Sequence, residues 1–169
     1  DADALRDLVG SGLVHGPRLV YLDHFMCLFP HDLQAIRAAV GRDTTICYDG
    51  SHVLGLIAGG QFQNPLAEGA DVLTASTHKS FPGPHKGILA TNSEHLAHRI
   101  NEHAGHWVSH HHPADVAALA IAVADLQETA CTYAVQTVAN ARTLASALDA
   151  RGFKVSGACF GFTRSHQVW

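Results

Sequence analysis

The run from Ala70 to Pro84, Ala-Asp-Val-Leu-Thr-Ala-Ser-Thr-His-Lys-Ser-Phe-Pro-Gly-Pro, constrains the fold more than any other stretch. Val72, Leu73 and Ala75 are the apolar residues that a short strand buried on both faces would use. The polar turn after it carries Lys79 and is stiffened by Pro82 and Pro84 around Gly83. A second unit has the same form: Thr44 to Asp49 reads as a strand, with Asp49 at its end and His52 just beyond.

Strands and helices alternate around these two units. Asp3 to Val9 has helical spacing, and Arg18 to Leu22 reads as a strand. Asp32 caps a helix whose Leu33, Ile36 and Val40 share one face, and Gly41 stops it. A short helix is expected over His52 to Ile57, a loop over Gln61 to Gly69, and a strand over Lys86 to Thr91. Ser93 caps a helix running to about His103. Ala114 to Ala150 is strongly helical, with a break expected near Glu128 to Tyr133. Phe153 to Val155 and Gln167 to Trp169 read as strands of a separate small layer. The alternation implies an α/β fold with a mainly parallel sheet. The expected division is residues 1–151 in one unit and the start of a second over residues 152–169.

The 169 residues suffice for one core, with the balance of a soluble globular protein. A net charge of −4 without basic runs argues against a nucleic-acid partner. No apolar run reaches membrane-span length, and no signal peptide opens the chain. Cys27, Cys47, Cys131 and Cys159 form no C-x-x-C pair and read as free thiols of a reducing, cytoplasmic setting. A start at Asp1 and a stop at Trp169, on an expected strand, suggest a piece of a longer protein.

Ligands of parallel sheets bind at the carboxyl ends of strands. Asp49 and Lys79 both fall there, about 30 residues apart, a span that fits one crossover between neighbouring strands. A lysine can form a Schiff base, and a carboxylate can keep a pyridinium nitrogen protonated. The pair therefore matches the needs of pyridoxal phosphate.

The motifs Asp49-Gly50-Ser51-His52-Val53-Leu54-Gly55-Leu56, Asn64-Pro65, Ala70-Asp71-Val72, Ser76-Thr77-His78-Lys79 and Gly83-Pro84 resemble, in order and spacing, the core of serine hydroxymethyltransferases. The resemblance runs to Arg164-Ser165-His166, where that family often has T-D-N-H. It implies the central part of a fold-type I pyridoxal phosphate enzyme's large domain, truncated at both ends, with helices on both sheet faces. Lys79 would form the internal aldimine, and Asp49 would pair with the pyridine nitrogen. His52 would lie near the phenolic oxygen or the substrate, and His78 beside the Schiff base. Thr77 would support the turn, with its hydroxyl near the cofactor. The implied reaction is Cα–Cβ cleavage and transfer on serine or threonine through a glycyl quinonoid. Implied partners are a small amino acid with an aldehyde or a folate, tetrahydrofolate among them, and further copies in a homodimer or homotetramer. The phosphate loop and the arginine for the substrate carboxylate are expected outside this segment.

Three departures loosen the substrate assignment. Pro82 and His85-Lys86 replace an arginine-containing pattern, Leu22-Asp23-His24-Phe25-Met26 replaces a loop with serine or threonine, and Trp107 to Pro113 replaces a glycine-rich loop. These bring the chain nearer the threonine transaldolase branch, including the fluorothreonine transaldolase domain. Two alternatives stand beside this reading. One is a catalytically incomplete fragment that keeps the fold. The other is a metal-dependent hydrolase built on His103, His106, His110, His111 and His112, although adjacent loop histidines point apart and no H-E-x-x-H is present. His15, His31, His95 and His98 read as surface residues, and Tyr21 and Tyr48 as packing residues.

Overall fold

A computed structural model describes residues 1–12 and 16–169; the expectation for His15 falls outside the described residues. Four strands form one sheet in the order β1-β2-β3-β4: β1 (Leu19–Asp23), β2 (Thr45–Asp49), β3 (Val72–Ser76) and β4 (Gly87–Ala90). The first three are parallel, and β4 runs antiparallel to β3. The register pairs Asp23 with Asp49 and Asp49 with Thr74, so three strand ends meet at one edge. The lysine turn links β3 to β4.

Around the sheet lie α1 (Ala2–Gly10), α2 (Leu33–Val40), α3 (Leu54–Ala58), α4 (Pro65–Glu68), α5 (Glu94–Trp107) and α6 (Pro113–Asp149). The Asp32 carboxylate caps α2 by accepting from the Ala35 amide at 2.9 Å, and Gly41 ends it at φ +80°. Leu33, Ile36 and Val40 then pack on Ile46, Tyr48 and Leu73, the main core. A second core joins Leu54, Ala75 and Phe81 to Leu126 and Ala130 of α6. The opposite sheet face carries Leu19, Cys47, Val72 and Leu89 and borders an open cleft of about 460 Å³ edged by Leu96 and Ile100 of α5. Among the described residues no helix is long and apolar enough to cross a membrane.

Three expectations are corrected. The break near Glu128 to Tyr133 is absent: α6 runs 37 residues unbroken. That stretch holds no glycine or proline, and its Thr129 hydroxyl bonds back to the Asp125 carbonyl at 2.8 Å, inside the helix. The loop over Gln61 to Gly69 contains α4, started by Asn64 as cap and Pro65 at the first helical position. Residues 153–155 and 167–169 form no strands. The chain instead turns through a short 3₁₀ helix, Ala158–Phe160, and folds back onto the loop after β1. There the Arg164 amide donates to the Leu28 carbonyl at 2.8 Å and the Ser165 hydroxyl to the Cys27 carbonyl at 2.6 Å.

Candidate active site

Asp49 stands at the carboxyl end of β2 with both oxygens engaged. Oδ1 accepts from the Ser51 amide at 2.9 Å and Oδ2 from the Tyr21 hydroxyl at 2.5 Å. Burial pushes its carboxyl up, but the bonds from Ser51 and Tyr21 and the Lys79 charge outweigh this and hold it below the usual carboxylate range. Asp49 is thus ionised at neutral pH.

Lys79 leaves the turn exposed, its ammonium donating to the Ser76 hydroxyl at 3.2 Å. Ser76 is tied in turn to Ser51, whose hydroxyl accepts from the Ser76 amide at 3.0 Å. A chain of short polar links therefore joins the loop after Asp49 to the lysine. His52 is held below the ordinary imidazole range by burial and by Lys79, with Asp23 and Asp49 pulling the other way. The Phe25 ring meets His52 edge-on at 5.0 Å.

His78 lies in the turn, its Nδ1 buried without a hydrogen-bond partner among the described residues. Its ring stacks on His85 at 4.0 Å, the position where the resemblance expects an arginine pattern. Thr77 is 1% exposed, and its hydroxyl is fully used inside the turn. It donates to the Pro84 carbonyl at 2.6 Å and accepts from the Lys86 amide at 3.2 Å. Thr77 thus supports the turn through its hydroxyl, and Ser51 and Ser76 carry the hydroxyls linked to the lysine.

The structure brings Asp49, His52 and Lys79 into one electrostatic neighbourhood. It also adds groups the sequence did not single out. Tyr21, read as a packing residue, is half-exposed and binds Asp49, whereas Tyr48 packs in the core as expected, its hydroxyl on Gln63 at 2.9 Å. His166 arrives with the returning chain and is held low first by burial and then by the charge of His52. His24 is buried against the Tyr48 ring at 4.0 Å. His31 is exposed yet touches His24 at 4.3 Å, while His95 and His98 are surface residues as read. Strand register explains Tyr21, and only the fold-back of residues 163–167 explains His166.

The histidine loop closes over the turn, and the Lys86 ammonium donates to the His111 carbonyl. A cleft of about 490 Å³ between them is lined by His78, His85, His110 and His111. Among the described residues no group of three or more His, Cys, Asp or Glu side chains could hold a metal ion.

The donor set fits pyridoxal phosphate. It offers an ionised carboxylate for a ring nitrogen, an accessible amine for the aldehyde and, on the residue before that lysine, a buried imidazole nitrogen without a partner among the described residues. Comparison with known proteins points the same way. The family model described as serine hydroxymethyltransferase matches residues 31–167. A serine hydroxymethyltransferase of Methanothermobacter marburgensis is 47% identical over 99% of this chain and 39% of its own length. One of Methanopyrus kandleri is 48% identical over 90% of this chain and 36% of its own. An L-threonine transaldolase from Pseudomonas fluorescens, solved in its internal aldimine state, superposes with a TM-score of 0.91 at 35% identity, covering 99% of this chain and 38% of that one. The chain therefore spans about two fifths of the length of the relatives it matches.

Proposed function

This chain belongs to the serine hydroxymethyltransferase family, and we propose that it serves pyridoxal phosphate-dependent cleavage and transfer at the Cα–Cβ bond of serine or threonine. The observation that carries the reading is the juxtaposition of an ionised Asp49 with Lys79 and an uncharged His52 at one sheet edge. Pyridoxal phosphate, when bound, supplies the electron sink for the pair left on Cα as the bond breaks.

The chain's residues would do the rest. Lys79 is the group to hold the cofactor covalently, and Asp49 the group to keep its ring nitrogen protonated. Cleavage requires removal of the β-hydroxyl proton, a task for a neutral imidazole near pH 7. Burial and Lys79 keep His52 in that state. His78, the residue before the lysine, has a buried Nδ1 without a partner among the described residues and is available to bond a bound ligand.

The finer reaction is a threonine:aldehyde transaldolation, in which acetaldehyde leaves and a second aldehyde takes its place. The transaldolase neighbour supports this, as do Phe25 and His85 where the resemblance expects polar or cationic groups. The folate-linked form would instead pass a one-carbon unit from serine to tetrahydrofolate; the relatives' names support serine as donor. Supplying the protein with threonine plus an aldehyde, and separately with serine plus tetrahydrofolate, decides between them by which amino acid is consumed.

The chain's share of its relatives' length favours a second reading, a fold that binds cofactor without turnover. Visible absorption with pyridoxal phosphate but no consumption of either amino acid would identify it.

A further inference from the structure

We propose that Tyr21 is a positioning residue of this site, its hydroxyl fixing the Asp49 carboxylate for a cationic ring nitrogen. The proposal rests on the functional reading above. Tyr21 lies on β1 opposite Cys47, two residues before the level of Asp49. Its side chain reaches diagonally across the strand pair to Oδ2 at 2.5 Å, a distance typical of a hydroxyl donating to an ionised carboxylate. The Ser51 amide holds Oδ1 at 2.9 Å, so both oxygens have a fixed donor and the carboxylate cannot swing.

The phenol is 53% exposed on a sheet face that it shares with Leu19, Cys47, Val72 and Leu89 and with Thr45 and Thr74. Packing alone would be served as well by phenylalanine, which leaves the hydroxyl to be explained by its bond to Asp49. Asp49 and burial raise the Tyr21 hydroxyl above its ordinary value, so it remains a donor throughout the working range. The other titratable groups at this edge are Lys79 from the turn, Asp23 in register on β1, His52 from the loop before α3, and the buried His24 and Cys47. Among them only Lys79 joins Tyr21 and Ser51 in favouring the charged carboxylate.

The test is Tyr21→Phe, which keeps the ring and removes one oxygen. Carboxyl ¹³C NMR of the cofactor-free protein reads the Asp49 titration midpoint. Visible absorption of the loaded protein reads the pH at which pyridoxal phosphate is released on acidification. The midpoint should rise by about half to one pH unit, and the release pH should rise with it. An unmoved midpoint overturns the proposal. So does a midpoint that rises while the release pH stays, because the tyrosine then only occupies Asp49 until the cofactor displaces it. If the unsubstituted protein binds no pyridoxal phosphate, the functional reading fails instead, and the NMR arm tells that failure apart.

Discussion

Gly55 lies so close to Ser80 that a methyl group on it would stand 2.2 Å from the Ser80 carbonyl oxygen. The Gly55 amide donates to the Ser80 hydroxyl at 3.1 Å, and the Tyr133 hydroxyl of α6 donates to that carbonyl at 2.8 Å. The residue after Lys79 is thus gripped from two helices. Gly59, one turn on, comes as close to Ala130 and Ala134 of α6. The two glycines let α3 lie directly between the lysine turn and the long helix.

Gly55→Ala should therefore destabilise the fold by about 2 kcal/mol through overpacking against backbone. Because the clash is with the lysine turn, cofactor affinity should fall as well. Urea unfolding and cofactor titration measure the two, and a stability equal to that of the parent would show that the helix and turn are free to separate.

His24 predicts how stability responds to acid. Burial first, and then the neighbouring His31, lower it from 6.5 to about 4. The folded state resists the proton that the unfolded chain accepts, so stability is complete above about pH 6.5 and declines as the pH falls toward 4. The loss attributable to this group approaches about 3 kcal/mol. His24→Phe keeps a ring against Tyr48 and should flatten the curve; an equally steep loss in the variant would assign the effect elsewhere.

Asp71 belongs to the family-like Ala70-Asp71-Val72 motif but has a structural task. Its Oδ2 accepts from Arg37 at 2.5 Å and from the Ile46 amide at 2.7 Å. Arg37 also reaches the Gly69, Gly41 and Thr44 carbonyls. Asp71→Ala leaves the Ile46 strand amide unpartnered and takes the carboxylate from Arg37, which keeps its carbonyl contacts, at a cost of about 2 kcal/mol. The thermal midpoint should drop, while the absorption of bound cofactor below that temperature should persist. Loss of the absorption with an unchanged midpoint would place Asp71 in the site instead.

Much of this was legible in the sequence because it is local. The strand ends at Asp49 and Ser76, the caps at Asp32 and Ser93 and the glycine stop at Gly41 each follow from a few neighbouring residues. The Asp49, His52 and Lys79 grouping needed only strand ends and one crossover. Tyr21 was not legible, because a tyrosine in an apolar strand looks like packing until the register with β2 is known. His166 depends on contacts such as the Cys27 amide donating to Gln167, 140 residues away, at 2.8 Å. No periodicity signals such a return. The continuity of α6 was not legible, because the bond of the Thr129 hydroxyl to the Asp125 carbonyl exists only once the helix has formed.

Under the proposed function, Lys79 is the residue that would hold the cofactor. Lys79 is exposed, so Lys79→Ala should leave the fold within about 0.5 kcal/mol of the parent. The decisive measurement is borohydride reduction of the protein loaded with pyridoxal phosphate, followed by peptide mapping of the parent and of Lys79→Ala. A single stable pyridoxyl label on the peptide containing His78 and Lys79, absent from the variant, is the predicted result. A label on Lys86 or Lys154, or none at all in a folded parent, would show that Lys79 does not hold the cofactor.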